Sequence, residues 1–240
     1  MPCHALVVSP SRTEVELTPG ASTQIVLTAT NDDKVEVQVD VSKKDWFIPA
    51  MNKVWTVDRW LDVHGPAQFV LKPGESRTIE ATVTCPKELS GEVVAMTSFL
   101  YRAEKPMNVT PMISVSVYLM AAGSAQRSGA LEDIVVRLWK GQVNVTAKVK
   151  ATGNVHLRPS GYLAVQDRHG KELARMLVSE GQPTYPGSEA LYFGTSASDV
   201  KWLPGSYIAV ADLAYKDVKL EGRKAFKILR DGQVQMDHKK

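Results

Sequence analysis

Valine occupies every second position of Val35-Glu36-Val37-Gln38-Val39-Asp40-Val41, and a polar residue sits at each position between. In an extended strand that alternation puts the valines on one face and the polar groups on the other, whereas a helix would scatter them around its circumference. Runs rich in β-branched and aromatic residues predict further strands over residues 23–29, 78–83, 92–101 and 111–120. In the second half the same signal covers residues 134–139, 143–151, 161–166, 172–178, 190–193, 205–213 and 224–229. Residues 172–180 also fit a helix on propensity, but the stretch is brief and flanked by turns, so it is assigned as strand.

Chain breakers separate these runs. Pro19-Gly20, Asn31-Asp32-Asp33, Pro73-Gly74 and Ser90-Gly91 divide the first half, and Gly153, residues 167–170, Pro186-Gly187 and Pro204-Gly205 divide the second. Leu17-Thr18-Pro19-Gly20-Ala21-Ser22 and Leu71-Lys72-Pro73-Gly74-Glu75-Ser76 share the pattern Leu-x-Pro-Gly-x-Ser. Proline presets one turn residue and glycine accepts positive φ at the next, so each predicts a tight reversal between strands. Short strands at this spacing in both halves predict an all-β fold of two consecutive immunoglobulin-like β-sandwich domains joined by a short linker. The expected bounds are 1–5 for a signal-peptide remnant, 6–121 for the N-terminal sandwich and 122–131 for the linker. The C-terminal sandwich then covers 132–231, and 232–240 forms a polar tail.

Composition narrows the class. With 240 residues the chain has enough sequence for two cores, and 44% hydrophobic with 23% charged residues is a globular balance. No apolar run is long enough for a transmembrane helix. The formal net charge of +3 is dispersed without a basic block, which argues against nucleic acid as a partner. Met1-Pro2-Cys3-His4-Ala5 matches the tail of a cleaved export signal or an ordinary cytoplasmic start. Cys3 and Cys85 are the two cysteines; Cys85, closing a strand ahead of Pro86, is expected to be a buried structural thiol.

No catalytic constellation stands out, so the chain is not expected to be an enzyme, and no cofactor or metal is expected. The five histidines are widely spaced, and Gly-x-Ser-x-Gly, His-Glu-x-x-His and Cys-x-x-Cys are all missing. His169 falls at an expected hairpin tip and His156 on a short apolar run, each better read as structural. Trp46, Trp55 and Trp60 could stack a sugar, but tryptophans in a sandwich more often fill core volume.

Pro10-Ser11-Arg12-Thr13, the strand after it, Pro19-Gly20, the strand ending at Asn31, and Phe69-x-Leu71-x-Pro73-Gly74-Glu75-Ser76 resemble the N-terminal domain of periplasmic pilus-assembly chaperones of the PapD-like family. The second half, with Asn154-Val155-His156-Leu157-Arg158-Pro159, matches that family in outline only. The resemblance implies a periplasmic, exported protein that binds pilin-like or other surface-assembly subunits, and works with an outer-membrane usher where one exists. Arg12 would anchor the subunit's terminal carboxylate through its guanidinium fork. Ile113, Val115, Val117 and Leu119 would form the apolar ladder of a strand donated to the subunit.

The same residues allow plainer readings, in which Arg12 is an exposed arginine on an edge strand and the ladder fills its own domain's core. The family also pairs its arginine with a lysine on the last strand of the first domain, and residues 111–120 contain neither Lys nor Arg. Lys105, in the preceding loop, is the nearest auxiliary cation. The alternative function is a structural tandem immunoglobulin-like module of a cell-envelope or surface assembly, without chaperone activity.

Overall fold

A computed structural model of the chain describes residues 6–49, 52–103 and 110–236. Two compact units divide it, Met1–Ala125 and Gln126–Lys240. Each is an immunoglobulin-like β-sandwich of two sheets.

Among the described residues the first unit holds nine strands: β1 (Leu6–Ser9), β2 (Arg12–Leu17), β3 (Ser22–Asn31), β4 (Val37–Phe47), β5 (Leu61–Val63), β6 (Gln68–Leu71), β7 (Ser76–Thr84), β8 (Glu92–Ala103) and β9 (Met112–Ala121). One sheet runs β1-β3-β7-β5 and the other β2-β9-β8-β4-β6. The N-terminal segment is thus split between the sheets, β1 in one and β2 in the other, with Pro10 at the crossing: it has no N–H to continue a ladder. The valines of β4 behave as their alternation predicts, Val37 and Val39 being buried while Gln38 faces water. Leu27, Val39, Leu71, Phe99 and Val115 fill one end of the core; Trp60, Val83, Val93, Val117 and Leu119 fill the other. A 3₁₀ turn, Val57–Arg59, leads into β5.

The second unit holds β10 (Gly129–Trp139), β11 (Gln142–Ala151), β12 (Ser160–Asp167), β13 (Glu172–Val178), β14 (Glu189–Thr195), β15 (Gly205–Tyr215), β16 (Val218–Ile228) and β17 (Val234–Met236). Its sheets run β10-β11-β14 and β13-β12-β15-β16-β17. Valines 143, 145 and 149 of β11 meet Leu163, Leu213, Leu220 and Phe226 in one core.

The Pro-Gly reversals form as expected. Ala21 N–H donates to Thr18 O at 2.9 Å and Glu75 N–H to Lys72 O at 2.9 Å, with Gly20 and Gly74 at φ of 86° and 73°. The segment 172–178 is strand, because it pairs with β12 from Gly161↔Val178 to Gln166↔Glu172.

Three features differ from expectation. Strand β10 begins at Gly129, so residues 129–131 of the expected linker belong to a ladder, with Gly129 opposite Ala151. Part of the expected polar tail is β17, which pairs Phe226↔Met236 and rests Val234 and Met236 on the core; two apolar residues at i and i+2 suffice once a long neighbouring strand supplies the template. Trp60 is core, whereas Trp46, at the end of β4, is 52% exposed with Lys44 over its ring.

Candidate functional site

The residues singled out by the sequence converge on β9 and the start of β2. Strand β9 pairs antiparallel with β8 along its length, from Leu100↔Met112 to Glu92↔Met120. Its other side is covered by β2, in parallel, only from Arg12↔Ser116 to Leu17↔Ala121. Among the described residues, the leading half, Met112 to Val115, therefore has a strand on one side alone.

Hydrogen-bond parity shows which groups face that open side. Ala121 N–H donates to Gly91 O and Tyr101 N–H to Pro111 O, so the odd-numbered residues of this stretch bond toward β8. Ser116 N–H donates to Ser11 O and Ala122 N–H to Leu17 O, so the even-numbered residues bond toward β2. The main-chain groups of Met112 and Ser114 consequently point to the uncovered margin.

Side-chain burial follows that parity only over the leading half of β9, because Tyr118 and Met120 are buried along with the odd-numbered residues. Val115, Val117 and Leu119 are buried in the sandwich and Ile113 packs partly against it, so the apolar ladder serves its own core. Val117 and Leu119 also lie where β2 closes the margin. Of the two readings of the ladder, the burial of these side chains matches the one in which they fill their own domain's core. The alternation is that of any half-buried strand, and the packed neighbour is the opposite sheet. What remains open is a short backbone edge beside Ile113 and Val115 with half-exposed Met112 at its start, while partly buried Ser114 shares a hydrogen bond with buried Ser98 (2.8 Å).

Arg12 opens β2 directly beyond this margin, opposite Ser116. Its Nε lies 3.0 Å from Glu14 Oε1, and the two side chains are 34% and 21% exposed. Residues two apart on a strand share a face, so Arg12 and Glu14 meet by geometry. The Arg-x-Glu spacing was visible in the sequence, and Glu14 is the site residue that the sequence reading passed over. Lys105 lies outside the described residues.

Other candidates are structural. The ring of buried His156 packs 5.9 Å from that of Tyr215. His169 sits in the turn closed by Asp167, which accepts its N–H at 2.8 Å. No group of three or more His, Cys, Asp or Glu that could hold a metal occurs among the described residues, and no helix there is long and apolar enough to cross a membrane.

No protein-family model matches the sequence, and no curated protein matches it. Several solved structures do resemble the chain. The Pseudomonas aeruginosa CupB2 chaperone is 10% identical with a TM-score of 0.49, over 96% of this chain and 97% of that one. The YadV chaperone is 12% identical with a TM-score of 0.46, over 92% of this chain and 98% of that one. The Salmonella enterica SafA pilin in complex with the SafB chaperone gives 11% identity and a TM-score of 0.44, over 95% of this chain and 98% of that one. Chaperones thus recur among the solved structures that resemble the chain.

Proposed function

We propose that this chain is a periplasmic, chaperone-like, non-enzymatic binding protein that holds a pilin-like or other surface-assembly subunit by strand addition at the open margin of β9. The observation that supports the reading is the conjunction of main-chain groups at Met112 and Ser114 that face no strand among the described residues with a guanidinium at the point where that margin ends. A guest strand lying beside Met112–Val115 cannot continue past Ser116, because β2 already occupies the next stretch. If it runs parallel to β9, its last residue stops at Arg12. A C-terminal carboxylate is the group such a stop would favour.

The guest carboxylate competes with Glu14, which already contacts Arg12. The second cation that the PapD-like resemblance implies is not supplied by residues 111–120, which contain neither Lys nor Arg. An outer-membrane usher would receive the subunit in a secretion route that has one. If the margin takes no guest, the function falls back to a structural tandem sandwich of an envelope assembly.

The test is capture of subunit proteins in periplasmic extract, quantified by mass spectrometry. Arg12→Ala is expected to weaken capture roughly tenfold to a hundredfold, the worth of charged hydrogen bonds. Glu14→Gln is expected to strengthen it, because the competing carboxylate is gone. Ser114→Pro removes a donor facing the open side and leaves the bonds to β8 intact, so it is expected to abolish capture in a folded protein. Capture unchanged by both Arg12→Ala and Ser114→Pro, with native circular dichroism, overturns the reading.

A further inference from the structure

Every sheet edge is a template for another strand, and proteins guard such edges with brevity, charge or bulges. In the first unit, β1, β5 and β6 are three or four residues long, and β2 carries Arg12, Glu14 and Glu16. In the second, β17 has three residues, β13 carries Glu172 and Arg175, and β10 has Glu132, Asp133 and Arg137 with a register break between Leu131 and Asp133.

Strand β14 is different. It is seven residues long, its sole charge is Glu189 at the first position, and among the described residues it is bordered by β11 alone. Leu191 and Phe193 on its outer face are 63% and 75% exposed.

The hydrogen-bond parity of β14 is fixed at both ends. Ser196 N–H donates to Val143 O at 2.9 Å and Ser188 O accepts from Ala151 N–H at 3.1 Å. Even-numbered residues therefore bond toward β11, and the N–H and C=O groups of Leu191 and Phe193 point outward along the open edge. The residues with exposed apolar side chains are also those with unpaired main-chain groups.

We propose that β14 pairs antiparallel with β14 of a second copy of this chain, about a two-fold axis through Tyr192, making a symmetric dimer. In that register Leu191 faces Phe193 of the second copy and Glu189 faces Thr195. Each pair joins outward-facing residues, so each exchanges both main-chain hydrogen bonds. Tyr192, buried at 6% exposure, stays in its own core.

Charge favours a second copy as the occupant. Glu189 is already neutralised by Lys148 at 2.7 Å, and Lys148 and Lys150 reach Glu132 at 3.4 and 3.8 Å. Two lysines thus balance two glutamates on the flanking face, and the axis opposes no like charges. This edge belongs to the second unit and is independent of the β9 margin.

The test is sedimentation of the full chain across a concentration series. The wild type is expected to show a monomer–dimer equilibrium. Leu191→Glu places a carboxylate beside Lys148 within its own sheet, which the fold tolerates, and puts that charge against Phe193 of the second copy. Each substitution enters twice per dimer, so a tenfold loss per site becomes a weakening of roughly a hundredfold. The double variant Leu191→Glu/Phe193→Lys sets opposite charges across the axis and is expected to recover association. A wild type that stays monomeric, including one that instead binds an extended apolar peptide at this edge, overturns the proposal. So does a dimer indifferent to Leu191→Glu, or a double variant that fails to recover.

Discussion

Truncating Leu119 to alanine separates the two uses that an alternating strand could have. Leu119 has no exposed surface and packs in the cluster containing Trp60, Val83, Val93 and Val117. It is held on both sides, opposite Val93 of β8 and Val15 of β2. Two flanking ladders pin the backbone, so the space left by the lost methyls cannot collapse, and the cost combines transfer and cavity terms. That sum is about 2–5 kcal/mol, with the upper half expected here. Met112→Ala, on the same strand but 52% exposed, should cost less than about 1 kcal/mol. Urea unfolding followed by tryptophan fluorescence reads the difference, with a fit that lets the two units unfold separately. At a slope of about 1–3 kcal/mol per molar urea, a loss of 3 kcal/mol moves the first unit's midpoint down by about 1–3 M. Equal costs for the two truncations, within about 0.5 kcal/mol, would refute the assignment of this ladder to its own core.

Two further predictions concern the first unit. Asn31 is fully buried; its amide donates to Val35 O (2.8 Å) and Leu71 O (3.0 Å), and its Oδ1 accepts Asp33 N–H (2.9 Å). Asn31→Ala should therefore lower stability by about 2–3 kcal/mol in the same assay by stranding these groups, and a loss under about 0.5 kcal/mol would contradict it. Burial pushes the Cys85 thiol above its ordinary value of 9.0. Above that pH the unfolded chain releases the proton while the folded chain keeps it, so stability should fall as pH rises beyond about 9 in a Cys3→Ser background. Replacing Cys85 by alanine should flatten that fall; an identical slope in both proteins removes the attribution.

How much of this was legible varies by residue. The Pro19-Gly20 and Pro73-Gly74 turns could be read because proline and glycine act on their own dihedrals, wherever they sit in a fold. Strands β4, β8 and β11 were legible from alternation or β-branched density over ten or more residues. Strands β5, β6 and β17 were not, since three or four residues carry too little periodic signal and gain their pairing from a longer neighbour. Arg12 was found through its neighbourhood in the sequence, whereas its contact with Glu14 needed only the two-residue spacing of a strand.

The sequence by itself determined that the chain forms two successive sandwiches, where its reversals fall, and which side chains of each strand share a face, because these depend on dihedral preferences and period-two alternation. Only the tertiary structure decided which strand each edge meets: that β2 closes β9 from Ser116 onward, that Met112 and Ser114 are left facing outward, and that β14 ends its sheet unguarded. The reason is physical. Alternation records that a face is buried but carries no mark of what buries it, and strand pairing joins residues as far apart as Arg12 and Ser116, which no local pattern can encode.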